Sequence, residues 1–472
     1  MSFKLSKFFV YASVFFVGIV STSTLFPFIV GKYVWFRSTI GLAVIFFCIG
    51  LIMDPQNHYL DKLKKLFKNP IVIAVSAFIG AFLLACIFGV NPEMSFWSNF
   101  ERGEGGLQIL NFYALFLLVA TLFSERKDWD KMFWMMCFST LIIIFYGIGA
   151  HLGTVDAPKT EGEAGGAMYQ TFKNFIGPNF GVEGFRFQGS IGNPAYTAVF
   201  LIFSLFYAIN LLIHKYRDRL LSFQAISLYV IIATFGTFFI LAATRGAFIG
   251  LIAGLFVGLL YLALSKKEWR KYVLGTIAVL AIAIGLLFVF KDSKVIKERS
   301  FSRLLDISFT TKTFADRATI WKMAIDGFKE RPIFGYGPEN FIYVFDQHFN
   351  PDYYKPAEGF GAWFDRAHSL IFDYLAETGI VGLLSFASIF ITLFFMFFRE
   401  VLRRRSDKDE SHTHLSREPK ILQALLLLVI VAYLVQGLVL FDVSPTYLNV
   451  FLVLGFSVYL FSGVEKLANK KQ

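Results

Sequence analysis

Apolar residues recur along this chain in long unbroken runs, with neither the period of a surface helix nor the alternation of a strand. Twelve runs can be marked, near 8-30, 34-53, 70-90, 107-123, 131-150, 194-213, 222-243, 246-265, 272-290, 369-398, 421-441 and 445-463. Most approach the ~20 residues that a helix needs to cross the hydrocarbon core of a bilayer. The pattern predicts an all-α polytopic membrane protein of about 12 transmembrane helices, a single integral membrane domain over residues 1-472. The first run is too long, and lacks the small-residue cleavage pattern, to be a removable signal peptide, so it is read as a helix. Two gaps, 151-193 and 291-368, are too long to be turns. In the second, between the ninth and tenth runs, Ile320, Trp321, Ala324, Ile325 and Phe328 recur at helical spacing. That spacing predicts an amphipathic helix capped by Asp316, and hence a partly helical loop.

Composition supports this class, with 56% of the 472 residues hydrophobic and 17% charged. The formal charge of +11 raises the question of nucleic acid, and its distribution answers it. Of 45 Lys and Arg, 26 lie in the termini and alternate loops, 4 in the short loops of the opposite side and 15 in the two long loops. This asymmetry follows the positive-inside rule. It places both termini and the basic loop 399-420 in the cytoplasm and 151-193 and 291-368 outside, and it removes the case for a nucleic-acid partner. Membrane lipids remain as partners: Lys62, Lys64, Lys65 and Lys68 fit an amphipathic segment on anionic headgroups as well as a solvated loop. Cys48, Cys86 and Cys137 fall inside apolar runs and argue for neither disulfides nor a metal. Asp128-Trp129-Asp130 has a metal-binding spacing, but its loop leaves no room for a nucleotide-binding domain; Asp407-Lys408-Asp409 is set aside likewise.

The residues suited to chemistry gather on the external side. The loop 151-193 begins with a Gly- and Glu-bearing flexible part and changes character at Arg186, followed by Gly189, Gly192, Asn193 and Pro194. Amides turned toward a ligand and a helix entry at Pro194 both fit that string. Arg245 joins two apolar runs; it fits a snorkelling residue or a rigidly mounted phosphate ligand, whose oxygens a guanidinium matches two at a time. Arg317 precedes Trp321 by one helical turn, which puts both on one side; it fits a residue facing the membrane mouth or a plain surface arginine. Arg331-Pro332 through Gly335-Tyr336-Gly337 reads as a turn that ends this helix. An aromatic stretch from Phe341 to Trp363 then leads to Asp365-Arg366-Ala367-His368.

Taken together, these motifs resemble the O-antigen ligase and O-antigen polymerase family of bacterial membrane glycosyltransferases. The matches are Arg186 with Gly189, Gly192, Asn193 and Pro194; Thr244-Arg245-Gly246; Arg317 with Trp321; Arg331-Pro332 and Phe334-Gly335-Tyr336-Gly337 with Phe341; and Asp365-Arg366-Ala367-His368 with Leu375, Glu377, Thr378, Gly379 and Gly382. Ser369 stands where the family often has Asn, a departure that bears on acceptor choice. The resemblance implies an enzyme of the bacterial inner membrane. It would move a glycan, outside, from an undecaprenyl-pyrophosphate-type lipid to an acceptor hydroxyl, with inversion and without metal or other cofactor. His368 matches the catalytic histidine and is assigned as base. Arg245 and Arg317 are assigned to the pyrophosphate, with Arg186 as a further donor-binding residue. Arg366 is a neighbour that could tune the histidine. Asp373, Glu377, Trp321, Gly335 and Gly337 are supporting residues, and a straight helix would keep Glu377 away from His368. The acceptor stays open: a lipid core for a lipopolysaccharide ligase, a growing glycan for a polysaccharide polymerase, or a protein hydroxyl. A polysaccharide or lipid transporter is the non-enzyme alternative. Against it, the spans lack ionisable groups at mid-depth and no internal repeat is visible.

Overall fold

An apolar run inside a bilayer must satisfy its backbone groups internally, so these runs fold as helices. The structure, a computed structural model, describes residues 1–99, 102–157, 185–265, 267–299, 302–305, 312–351, 363–406 and 419–461. The Gly- and Glu-bearing part of 151-193, much of the aromatic stretch before Trp363, and Asp407-Lys408-Asp409 with most of 399-420 lie outside the described residues. In chain order the helices are α1 (Ser2–Ser13), α2 (Val30–Ile52), α3 (His58–Leu66), α4 (Pro70–Phe88), α5 (Pro92–Trp97), α6 (Gly106–Leu122), α7 (Arg126–Leu152), α8 (Pro194–Lys215), α9 (Phe223–Leu241), α10 (Arg245–Ser265) and α11 (Arg270–Val289). The long second loop contributes α12 (Lys294–Lys297), α13 (Ser302–Leu305), α14 (Lys312–Glu330) and α15 (Phe341–Gln347), and the chain closes with α16 (Leu370–Ser406), α17 (Lys420–Gly437) and α18 (Ser444–Phe461).

Among the described residues, 10 helices are long and apolar enough to cross a membrane. The difference from twelve has two sources. The run 107-123 forms α6, apolar but only 17 residues long. The first run is broken: α1 tightens into a 3₁₀ turn at Val14–Gly18 and leaves the helical region at Ile19. Ser21 to Thr24 and Pro27 follow there, and the Thr24 hydroxyl bonds the Ser21 carbonyl at 2.8 Å, an alternative partner that competes with helix continuation. Asp128 and Asp130, with their metal-like spacing, are instead paired with Lys7 and Arg126 at 2.8 and 2.9 Å, around a fully buried Trp129.

Two packing features position the site. On α10, glycines at 250, 254 and 258 form a stripe against α17. A methyl on Gly250 would lie 2.5 Å from the Ala432 carbonyl oxygen, and one on Gly254 2.3 Å from that of Leu428. Small residues here let two backbones touch and fix the start of α10 relative to α17. The second feature is a break in α16 at Gly379, whose φ of 63° and ψ of -165° are close to glycine-only. Its freed backbone groups are bonded by the turn after α14. The amides of Tyr336 and Gly337 donate to the carbonyls of Ala376 and Glu377 at 2.9 and 2.8 Å, and the amide of Ile380 donates to Pro332 at 2.8 Å. Gly335 and Gly337, with φ of 68° and 96°, let the turn approach this closely.

The amphipathic helix is present but starts earlier than expected. α14 begins at Lys312, so Asp316 is not its cap and lies within it. Its buried stripe is Ile320, Met323 and Ala324, while Ile325 is exposed. That stripe joins Tyr336, Phe341, Val344, Phe345, Ala367 and Ala376 in a small core separate from the main bundle, so α14 rests on its own loop and on the start of α16. Replacing Gly254 with Leu should force α10 from α17 and lower stability by about 1–3 kcal/mol. Thermal unfolding in detergent would measure it, and an unchanged midpoint would remove the close-packing account.

Candidate active site

Residues 365 to 368 are each tied to a different part of the structure. Asp365 accepts two bonds from Arg102, from Nε at 2.6 Å and Nη2 at 2.9 Å. Arg366 is 7% exposed, and its Nη1 donates to Glu377 at 2.8 Å and Asp373 at 3.2 Å, while its Nη2 donates to Glu339. Asp373 and Glu377 are one turn apart on α16, so both carboxylates face the guanidinium. The Ala367 amide donates to Asp373 Oδ1 at 2.8 Å, and its carbonyl accepts the indole N–H of Trp321 at 3.1 Å. Trp321 also stacks on Phe372, with ring centroids 5.1 Å apart.

This scaffold holds His368 in the left-handed region, at φ 53°, uncommon for a residue with a side chain. Its ring meets Phe364 and Phe441 edge-on, at centroid distances of 4.9 and 5.1 Å. Nδ1 lies 3.1 Å from the Arg366 carbonyl oxygen. A carbonyl only accepts, so Nδ1 carries the hydrogen and Nε2 is left with its lone pair. Burial, and then the cations of Arg317 and Arg102, bring the imidazole down to about 4 against the opposing pull of the Arg366 carbonyl and Asp365. The ring is therefore neutral near pH 7.

His368 lines a cavity of about 600 Å³ at one end of the bundle, and Arg186, Arg245 and Arg317 line the same cavity. The wall is built from the starts of α2, α8, α10 and α18, the segment after α17, and α13 and α14. The fold therefore brings His368, Arg186, Arg245 and Arg317 to one place. Its supporting residues divide. Arg366 and Glu377 form the buried ion cluster behind the histidine and do not line the cavity. Trp321 also stays out of it, holding Ala367 while Arg317 reaches the cavity. Gly335 and Gly337 serve the turn that caps α16. Glu377 pairs with Arg366, not with His368.

Other lining residues were not legible as site residues. Lys32, Arg102 and Arg303 add cations, and Glu104 adds one carboxylate. The cations differ in availability. Lys32 uses its three N–H bonds on the carbonyls of Ile19, Phe28 and Ser190, at 2.8, 2.7 and 2.8 Å, so it ties segments together. Arg102 is held by Asp365, which pushes its pKa up against the cost of burial. Among the described residues Arg186 makes one hydrogen bond, from Nη2 to the Thr244 hydroxyl at 3.3 Å, and its buried Nε has no partner there. Burial, with the cations of Arg303 and Arg245, lowers it to about 10, so it is still charged near neutrality. Arg317 is likewise lowered by burial. Asn193 both caps α8, accepting from the Ala195 amide at 2.8 Å, and lines the cavity, so the two readings of its motif coexist. A cavity lined by several guanidiniums and a neutral imidazole can bind an oxyanion leaving group beside a base.

The ion cluster yields a direct expectation. Arg366→Met would leave the carboxylates of Glu339, Asp373 and Glu377 buried without their cation, at a cost of about 3–5 kcal/mol. A lowered unfolding midpoint in detergent is the expected result; a wild-type midpoint would show that the cluster is not holding the loop.

Residues 228–387 match the family model described as O-antigen ligase, Wzy_C. No curated protein matches the chain. The matched segment includes Arg245, Arg317 and the whole of 365 to 379, while Arg186, Arg102 and the segment after α17 lie outside it. Membership of that family would imply a membrane glycosyltransferase with lipid-linked glycan substrates. Fold, cavity and match lead to one statement: by the length and composition of its helices this is a multi-span membrane protein, and its residues 228–387 match the O-antigen ligase family model.

Proposed function

We propose that the chain transfers a glycan from an undecaprenyl-pyrophosphate-type lipid to an acceptor hydroxyl, with inversion at the anomeric carbon and without a metal. The observation that carries this is the shared cavity, where a neutral histidine meets guanidiniums delivered by separate elements. His368 Nε2 takes the proton of the acceptor hydroxyl as its oxygen attacks the anomeric carbon. The bond from that carbon to the pyrophosphate oxygen breaks, and the electron pair leaves with the phosphate. Arg245 and Arg317 face the charge that grows there, and Arg186 adds to donor binding. Guanidiniums supply in this way the stabilisation that a divalent ion gives in other phosphate-leaving reactions.

The reading places the cavity on the external, periplasmic face and both termini in the cytoplasm, from the Lys and Arg bias of the loops. Ligase-like transfer to a lipid core is favoured because the matched domain is the ligase type. Polymerisation of repeat units and transfer to protein hydroxyls use the same donor chemistry.

A reconstituted assay with a lipid-pyrophosphate glycan and candidate acceptors, run with and without chelator, tests the reading. His368→Ala should lower transfer by about 10²–10⁴-fold while leaving insertion intact. Arg245→Lys and Arg317→Lys should each lose about 10²-fold or more, since an ammonium cannot make the two-pronged contact. Full activity in the histidine variant would remove the base assignment, and normal turnover in both lysine variants would move pyrophosphate recognition elsewhere. The pH profile is a separate test. With the folded imidazole lowered to about 4, the base form persists as pH falls until that region. The rate should therefore be flat from about pH 5 to 8 and fall only below about 4.5. An acidic limb centred near 6.5 would contradict the buried, neutral histidine.

A further inference from the structure

The proposed donor chemistry leaves Arg303 without a role, although its placement is specific. It belongs to α13 and lines the cavity beside Arg186 and Arg245. Its neighbours Leu304 and Leu305 are buried, each 5% exposed, so the short helix is anchored while Arg303 itself is exposed. The anchor is completed from below: Arg245 Nε donates to the Arg303 carbonyl oxygen at 2.9 Å. Arg245 is the first residue of α10, where the helix dipole adds partial positive charge to that of the guanidinium, so an anion bound there is favoured by both. Arg186 feels both Arg303 and Arg245 as repelling charges, which puts the three guanidiniums in one neighbourhood. Arg317 lines the same cavity, and its charge bears on His368.

We propose that Arg303 is a further ligand for the pyrophosphate of the lipid donor, forming with Arg186 and Arg245 one anion seat in the cavity wall. The inference rests on the donor reading above and extends it to a residue outside the recognised motifs. Three guanidiniums with burial on one side suit an ion carrying several phosphate oxygens. The backbone bond from Arg245 also gives that residue a second task, since it holds the segment that carries Arg303.

Binding of undecaprenyl pyrophosphate without a glycan, compared with undecaprenol, tests this on the purified full chain in detergent. Arg303→Ala keeps the backbone carbonyl that Arg245 binds, so the anchor survives. Its affinity for the pyrophosphate lipid should fall about tenfold or more, with weaker dependence on salt, while retention of undecaprenol stays at the wild-type level. Arg303→Lys should recover part of the loss, and it carries the test if the alanine variant does not fold. Wild-type affinity for the pyrophosphate lipid in the alanine variant would overturn the assignment, and so would an equal loss for both lipids, which would mark a structural role. A wild-type protein that binds undecaprenyl pyrophosphate no better than undecaprenol would overturn the donor reading itself, and this inference with it.

Discussion

The buried guanidinium of Arg366 is the contact on which the rest of the site depends. A charge taken out of water is tolerable only when paired and hydrogen-bonded. Here the partners come from two places, Glu339 in the turn before α15 and Asp373 with Glu377 on α16. Satisfying one side chain thus docks the long second loop onto the bundle. It also fixes the three residues ahead of His368 so firmly that a strained backbone angle can be held there, with stability supplied by neighbours. His368 is held in place because the residue two positions before it is ionically locked.

A second theme is the division of labour among the positive side chains around the cavity. Lys32 and Arg102 are committed to protein oxygens and act as struts. Arg186 and Arg317 are less engaged and bear the cost of burial as lowered proton affinity. A cation held in place without full protein partners is prepared for a ligand anion. Counting charges in the cavity would miss this distinction, whereas the hydrogen bonds separate fastening from recognition.

Much of the architecture was legible in the sequence, because long apolar runs leave a chain few options. The legible part of the site consisted of residues carrying local marks: Arg245 between two apolar runs, Arg317 on an amphipathic helix, and His368 ahead of a long apolar stretch. What could not be read depended on contacts distant along the chain. Arg102 counts in the sequence only toward the charge bias, and its role comes from Asp365 across the fold. Arg303 lies in a segment without hydropathic pattern. The broken first run had a local signal in Ser21 to Thr24, which its apolar length concealed. Asp316 looked like a cap by residue type alone, yet helix α14 begins one turn earlier, at Lys312, where Phe314 packs edge-on against Trp321.

The break at Gly379 has a mechanical consequence. Because the turn at 332–337 takes up the backbone bonds on both sides of the break, the segment Leu370 to Thr378 is braced by that turn as well as by the shaft below it. The shaft begins at Ile380, whose amide is bonded to the same turn, so the two pieces of α16 keep one register across a break that would otherwise act as a hinge. The direction in which α16 presents the histidine is thereby set by a splint from the loop and not by an unbroken helix, so loop and helix can place it only together.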